Sequence, residues 1–313
     1  MVATEEAGWF GVGWKDWTDL ALIRARLDAG ADPDAVVHYH ERPLHAAAQY
    51  GSPEVIAELA RRVRDVDVEH RGCTALWDAV FANRPDNARA LAAAGADPWR
   101  PMMAGWSPGR LSLVTPTPDL FTSRPADVGL SAVEAAAVAE ARRLMAAVGR
   151  FSPHMGLGLA CVSGIDAAEA VRRLQATPVE WLRRADDDEE SLHTVGVTDV
   201  PGGCVVSQPW GYMPHTPGVA KRLSKGTVCY AMYANAASGN QGSVTRDGVI
   251  EEWDLRGDPT AEYSAETVLA LYLYKRHAVA YYCARAGLRL TDARAITGPP
   301  DSWVRLPIRD YWS

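Results

Sequence analysis

Glu251, Glu252 and Asp254 crowd around Trp253 at the end of a segment patterned as a β-strand. A carboxylate pair there could serve acid–base chemistry if one member were buried and held protonated. An exposed strand end with alternating charge is the simpler reading, and it is favoured. Cys204 follows Gly202-Gly203, and a thiol next to His193 or His215 would be a nucleophile. Free cysteines more often fill cores. His38 and His40 flank Tyr39, a spacing that is weak evidence for a metal on its own. Gly156-Leu157-Gly158 is a fragment of a glycine loop. The sequence has no G-x-S-x-G, P-loop, G-x-G-x-x-G or H-E-x-x-H pattern. An enzymatic alternative therefore rests on one set, Trp210, Tyr212, His215, Glu251 and Asp254, gathered into a pocket of the C-terminal half. No cofactor and no metal is expected.

The elements that carry these residues are organised first by self-similarity. Ala29-Gly30-Ala31-Asp32-Pro33 returns 65 residues later as Ala94-Gly95-Ala96-Asp97-Pro98, with Arg62-Val63-Arg64-Asp65-Val66 in the same slot halfway. Arg42-Pro43-Leu44-His45-Ala46-Ala47 is followed 32 residues on by Thr74-Ala75-Leu76-Trp77-Asp78-Ala79. Two markers with a period near 33 define a repeat. Pro43 and Thr74 suit the start of a helix. Ala46, Ala47, Ala48 and Ala79 let paired helices approach closely. Gly51 and Asn83 stand at turns where a left-handed residue is expected. Val55, Ile56 and Leu59, then Ala88, Leu91 and Ala92, give a second helix its apolar stripe, closed by Gly30 and Gly95 in their copies.

Residues 16–115 resemble the ankyrin family on these markers. The resemblance implies a short helical solenoid with a concave face and β-turn fingers at 36–41, 67–72 and 99–106, and hence a protein partner. His45 takes the family's usual structural histidine position. Partner contacts are then expected from His38, Tyr39, His40, Glu69, His70, Arg71, Trp99, Met102, Met103 and Trp106. The third finger, Trp99 to Trp106, is rich in residue types typical of interface hot spots. The same side chains could instead cap the solenoid by packing against the rest of the chain, and that reading is slightly preferred. Both ends of the repeat array are atypical, as the ends of a short solenoid must be.

Pro116, Pro118 and Pro125 mark a boundary. Ser131 to Met145 reads as a helix with a Ser131–Glu134 capping box. Two helical pieces follow, one capped by Asp166 with Glu169 as box partner, one at Pro178 to Leu182. Short β-rich runs come next, at 192–200, 203–209, 227–233, 242–245 and 249–253, with hairpin signals at Gly202-Gly203 and Asp247-Gly248. Ser264 to Gly287 is patterned as one long helix. The expected fold is multi-domain: a short α-helical ankyrin solenoid, then an α+β domain with an antiparallel sheet. Its boundaries are 1–125 for the repeats, 126–149 for a connecting helix and 150–313 for the α+β domain. Residues 150–300 also resemble a group of uncharacterised α+β proteins of high-GC bacteria, through Trp210-Gly211-Tyr212, Leu223-Ser224-Lys225-Gly226-Thr227, Tyr230-Ala231-Met232-Tyr233, Asp247-Gly248 and Gly287-Leu288-Arg289-Leu290-Thr291. That resemblance implies a fold and no chemistry. Tyr281-Tyr282-Cys283-Ala284-Arg285 imitates an antibody framework, yet it lies in the helix-patterned run and lacks a correctly spaced partner cysteine.

The composition narrows the partner. Lys+Arg 32 against Asp+Glu 39 leaves a net charge of −7, which disfavours nucleic acid. The acidic run Asp186-Asp187-Asp188-Glu189-Glu190 reads as a solvated loop, with an electrostatic landing site as its second reading. With 48% hydrophobic residues the chain can build buried cores. No signal peptide or membrane segment is expected, and the five scattered cysteines suit a reducing compartment. The sequence thus predicts a cytoplasmic, non-catalytic, protein-binding chain with an antitoxin, immunity or scaffold role as one form of it.

Overall fold

The computed structural model describes residues 8–37, 41–149, 156–180, 192–235, 239–253 and 264–312. The chain divides into two compact units, Met1–Ala136 with Pro259–Leu273, and Ala137–Asp258 with Tyr274–Ser313. The division is discontinuous in sequence, whereas the sequence reading runs the second domain unbroken from 150 to 313.

In the first unit, helix α1 (Leu20–Asp28) is capped by Asp19 and closed by left-handed Gly30. Two helix pairs follow, α2 (Pro43–Tyr50) with α3 (Pro53–Ala60), and α4 (Ala75–Phe81) with α5 (Pro85–Ala93). Proline opens α2, α3 and α5, where its missing N–H costs nothing, and the Thr74 hydroxyl caps α4 by accepting from the Trp77 amide. Asn83 is left-handed at φ 57°, as its place in the turn requires. Gly51 is different: its φ is −89°, and glycine is needed because an added Cβ would lie 2.7 Å from the carbonyl oxygens of both Ala47 and Trp17. Ala47, Ala48, Val55, Ile56, Leu59, Leu76, Ala79, Ala88 and Leu91 are buried between the helices.

Side chains pin one repeat to the next. Asn87 donates from Nδ2 to the carbonyls of Ala47, Ala48 and Gly51. Asp32, Asp65 and Asp97 each accept the amide two residues on, so the degenerate middle copy keeps the one side chain the turn uses. Asp34 and Asp67 accept the amides of Arg64 and Asp97 in the following repeat. Glu58 is almost fully buried and is held by Arg24, Arg61 and Arg62 at 2.9, 2.6 and 3.0 Å. The three guanidinium groups, Arg24 first, hold its carboxyl down at about 2 against the usual 4.5. A depressed folded-state pKa stabilises above the unfolded value and is lost as pH falls through the folded one. The acid limb of repeat-unit stability between about pH 4.5 and 2 is therefore expected to flatten in Glu58→Gln, read from Tm against pH.

The C-terminal end of the array is capped from far along the chain. The short helix Pro108–Ser112 is followed by a Thr- and Pro-rich turn, and the helix Ala265–Tyr274 contributes its residues up to Leu273 to the same unit. Trp106 donates from Nε1 to the Ala265 carbonyl at 2.9 Å, and the Tyr272 hydroxyl donates to Asn83 Oδ1 at 2.6 Å. The expected single helix over 264–287 is thus two helices, Ala265–Tyr274 and Ala278–Arg285, with His277 out of helical conformation between them at φ −137°, ψ 60°. The first helix contributes its residues up to Leu273 to the repeat unit, and the second belongs to the sheet unit. The helix Ala132–Val148 carries the expected capping box, Ser131 and Glu134 exchanging amide-to-side-chain bonds.

The second unit is an eight-stranded antiparallel sheet of order β2-β8-β3-β4-β1-β5-β6-β7. The strands are β1 (Leu157–Ser163), β2 (Thr177–Val179), β3 (Thr194–Val200), β4 (Gly203–Pro209), β5 (Val228–Asn235), β6 (Gly239–Arg246), β7 (Val249–Trp253) and β8 (Ser302–Arg305). Pro178 is a correction: it lies in edge strand β2 opposite Val304, not in a helix, since an edge strand tolerates the missing donor. The β6–β7 hairpin turns on Asp247 and Gly248, both at positive φ, while β3 and β4 close over Pro201 and Gly202, with Val200 opposite Gly203. One sheet face packs Val162, Val197, Val206 and Ala231 against the helices Ala167–Leu174 and Pro217–Leu223. Asp166 caps the first of these helices, whereas Glu169 pairs with Arg172 and Arg173 rather than completing a box. On the other face the helix Ala278–Arg285 brings Cys283 Sγ to 3.6 Å from Cys161 Sγ. The antibody-like run is therefore helical, as its patterning requires. Among the described residues no helix is long and apolar enough to cross a membrane.

Candidate partner-binding surface

The first helices of the repeats and the turns leading into them form a finger face. The second finger is the best-defined part. His70 and Cys73 exchange backbone hydrogen bonds at 2.8 and 3.0 Å across Arg71 and Gly72, both at positive φ. This two-residue turn leaves Arg71 exposed and His70 half-buried. Glu69 is exposed and receives Arg100 at 2.6 Å, and Arg100 also donates to the Asp67 carbonyl, so the second and third fingers are tied together.

The third finger turns two of its side chains inward. Met103 and Trp106 are 1% and 0% exposed, so they are interior residues and offer no contact surface. Trp106 stacks under the Arg110 guanidinium at 4.3 Å. Met102 is half-buried and its sulfur accepts the Thr74 hydroxyl at 3.5 Å. Trp99 lies against Gly109, where an added Cβ would come within 2.4 Å of the indole, and meets Phe121 edge-on at 6.1 Å. A short solenoid must cover its last apolar face, and these side chains do so. His38, Tyr39 and His40 of the first finger lie outside the described residues.

Behind the second finger sits a cluster of titratable groups. His45 donates from Nε2 to the Cys73 carbonyl at 3.1 Å, and burial pushes its pKa down to about 4, so it is neutral. Its ring meets that of His70 edge-on at 5.7 Å. Cys73 is raised by desolvation and by the field of Asp78 and Glu69, which makes it a poor nucleophile. Glu41 is raised by desolvation in spite of Arg71 and a hydrogen bond from Gln49. Asp78, on α4, is raised well above the usual carboxylate range by desolvation, with Glu41 adding to it. Glu41 and Asp78 belong to none of the catalytic or metal-binding motifs that stand out in the sequence. A signal existed: in the repeat register Asp78 takes the position of the buried Ala46, an acid where the preceding copy has a methyl group.

The described members of the enzymatic set differ in exposure, and none of them lines either cavity described below. Trp210, left-handed at φ 66°, is 63% exposed, and Tyr212 is exposed between Tyr233 and Trp312, at 6.0 and 5.7 Å. His215 is buried beneath Trp253 at 4.8 Å, and Glu251 is bound to Arg246 on the exposed β6–β7 hairpin. Asp254 and the acidic run at 186–190 lie outside the described residues. Cys204 is a core residue whose thiol burial drives up to about 12. A cavity of about 140 Å³ in the repeat unit is lined by Val80, Asn83, Arg84 and Leu120, and one of about 90 Å³ in the sheet unit by Met232, Asn240, Arg276 and His277. None of the enzymatic set lines either. Among the described residues no cluster of three or more His, Cys, Asp or Glu could hold a metal.

The paired helices, left-handed closing glycines and ladder of aspartates find their counterpart among known families. Residues 17–102 match the family model described as ankyrin repeats, three copies. The ankyrin match runs from Trp17, ahead of α1, to Met102 in the third finger, and so takes in both full helix pairs and the capping half-repeat. Ankyrin repeats support a protein-interaction role in general. No curated protein matches the chain.

Proposed function

We propose that this chain is a non-catalytic protein-binding protein that uses the ankyrin concave face and fingers to hold a single protein partner, in an antitoxin, immunity or regulatory-scaffold role. The observation that carries the reading is the second finger, whose turn leaves Arg71 and Glu69 exposed on a rigid repeat scaffold. Loops placed on a fixed scaffold are where binding residues concentrate. With Met103 and Trp106 of the third finger turned inward, contact falls to the first and second fingers and to α2 and α4 behind them. The acidic run at 186–190 supplies long-range attraction for a basic partner.

Affinity capture from the native host tests this, with Arg71→Ala, Glu69→Ala and His40→Ala as variants. One partner should be enriched, and Arg71→Ala should weaken its retention by about tenfold or more, the loss typical of a hot-spot residue. Retention unchanged in all three variants, or no enriched partner, defeats the reading.

A further inference from the structure

In the sheet unit, the helix Ala278–Arg285 is keyed across three strands. Tyr282 lays its hydroxyl over Gly242 of β6, in the space that a Cβ at that position would occupy. The Arg285 guanidinium lies over the ring of Tyr230 on β5 at 5.8 Å. Cys283 meets Cys161 of β1 with the two sulfurs 3.6 Å apart, and both residues are 0% exposed. Contacts to three strands fix the helix on the sheet, so packing of whole elements sets the approach of the sulfurs. No other two of the five cysteines are so placed among the described residues. Cys204 and Cys229 both stand opposite Val162, one on each side of β1. Two strand spacings of about 4.8 Å therefore separate them, more than a disulfide spans. They lie on the sheet face that Val162 shares, whereas Cys161 alternates to the opposite face. Cys73 belongs to the repeat unit.

We propose that Cys161 and Cys283 form a modification site, a reversible disulfide that staples the helix Ala278–Arg285 to β1 when the protein meets a peroxide. One sulfur, as its thiolate, attacks a peroxide oxygen. The O–O bond breaks, the hydroxide released takes up the thiol proton as water, and a sulfenic acid remains. The second sulfur then attacks the sulfenic sulfur, the S–O bond breaks, and the departing hydroxide leaves as water with the second proton. Two thiols and one hydrogen peroxide become one disulfide and two waters, the sulfurs losing the two electrons that the peroxide gains. Closure brings the sulfurs from 3.6 Å to about 2.05 Å, a movement within reach of side-chain rotation. The Cys161 thiol is held well above its usual range, first by its hydrogen bond with Cys283 and then by burial, so the first step is slow. The pair thus stays reduced through brief exposure and closes under sustained oxidation. Once closed, the bond ties residues 122 apart in sequence, which restricts the unfolded chain far more than the folded one and stabilises the sheet unit.

The test treats the reduced full chain with hydrogen peroxide at neutral pH. Peptide mass spectrometry without reductant should find the peptide of Cys161 joined to that of Cys283, about 2 Da lighter than their sum. A thiol count on the denatured protein should fall by two of the five, and dithiothreitol should restore both. The oxidised protein should melt about 5 °C or more above the same sample after dithiothreitol, a comparison that leaves any oxidised methionine unchanged on both sides. Cys161→Ala and Cys283→Ala should each abolish the joined peptide and the difference in Tm. The readouts on the parent chain need no variant, so the proposal stays testable if either substitution prevents folding. It is overturned if thiols are lost without the joined peptide, if another pair of cysteines links instead, or if dithiothreitol leaves Tm unchanged or raises it.

Discussion

Trp106→Ala lowers the stability of the repeat unit by about 4 kcal/mol, the scale of deleting a fully buried aromatic. The indole is 0% exposed, stacks under Arg110 at 4.3 Å and donates to the Ala265 carbonyl at 2.9 Å. Removing it opens a cavity at the end of the solenoid and leaves that carbonyl without its partner. Thermal unfolding followed by circular dichroism should show a Tm drop of about 10 °C. Trp106→Phe keeps most of the packing and loses only the hydrogen bond, so it should cost about 1 kcal/mol. A Trp106→Ala protein within 1 kcal/mol of the parent would mean that the downstream helix does not cap the array. This result also bears on mapping the partner: Trp106 and Met103 are unsuitable as surface probes, since losing either damages the fold before it touches a contact.

Gly203→Ala is expected to be at least as severe, costing about 3–5 kcal/mol or preventing folding. Gly203 opens β4 opposite Ser163 of β1 and Val200 of β3, and an added Cβ would stand 2.0 Å from the Val162 carbonyl oxygen. That obstacle is backbone in the middle of an eight-stranded sheet, so relief requires parting two central strands. Gly129→Ala is the control, because nothing lies within 4 Å of the added methyl. Urea denaturation of both variants decides the matter. Equal midpoints for the two would show that β1 and β4 are less tightly joined than their register implies.

Much of the repeat unit was legible in the sequence, because each copy repeats the same local devices. Pro43, Thr74 and Asn83 act where their types allow, and Asp65 kept its role in the copy whose other residues had drifted. Gly51 was placed correctly for a different reason: the turn needs its lack of a Cβ, and this is a property of the neighbouring helix and of Trp17 rather than of local conformation. The sheet was legible at its hairpins and obscure at its centre. β1 lies between β4 and β5, and Leu157 to Val162 are buried on both faces, so its apolar residues run on without the alternation that marks a strand. β2 and β8 are short edge or near-edge strands with little pattern to read.

The candidate site divides along the same line. Local sequence determined the fingers, because a turn is built from its own residues, and Arg71-Gly72 with left-handed backbone is enough to expose what lies beside it. The sequence by itself therefore determined the ankyrin repeats, the antiparallel α+β plan and the rough position of the second and third fingers. Tertiary structure decided which of those residues face outward. Trp99 to Trp106 have the composition of a hot spot, yet the end of a short solenoid needs covering, and a helix 159 residues away supplies the carbonyl that fixes Trp106 inside. It also decided that Glu58 is buried among Arg24, Arg61 and Arg62, and Arg24 reaches it from 34 residues away, an arrangement that no local pattern encodes. The physical reason is common to both: burial and charge compensation depend on neighbours distant in sequence, while turns and caps depend on neighbours within four residues.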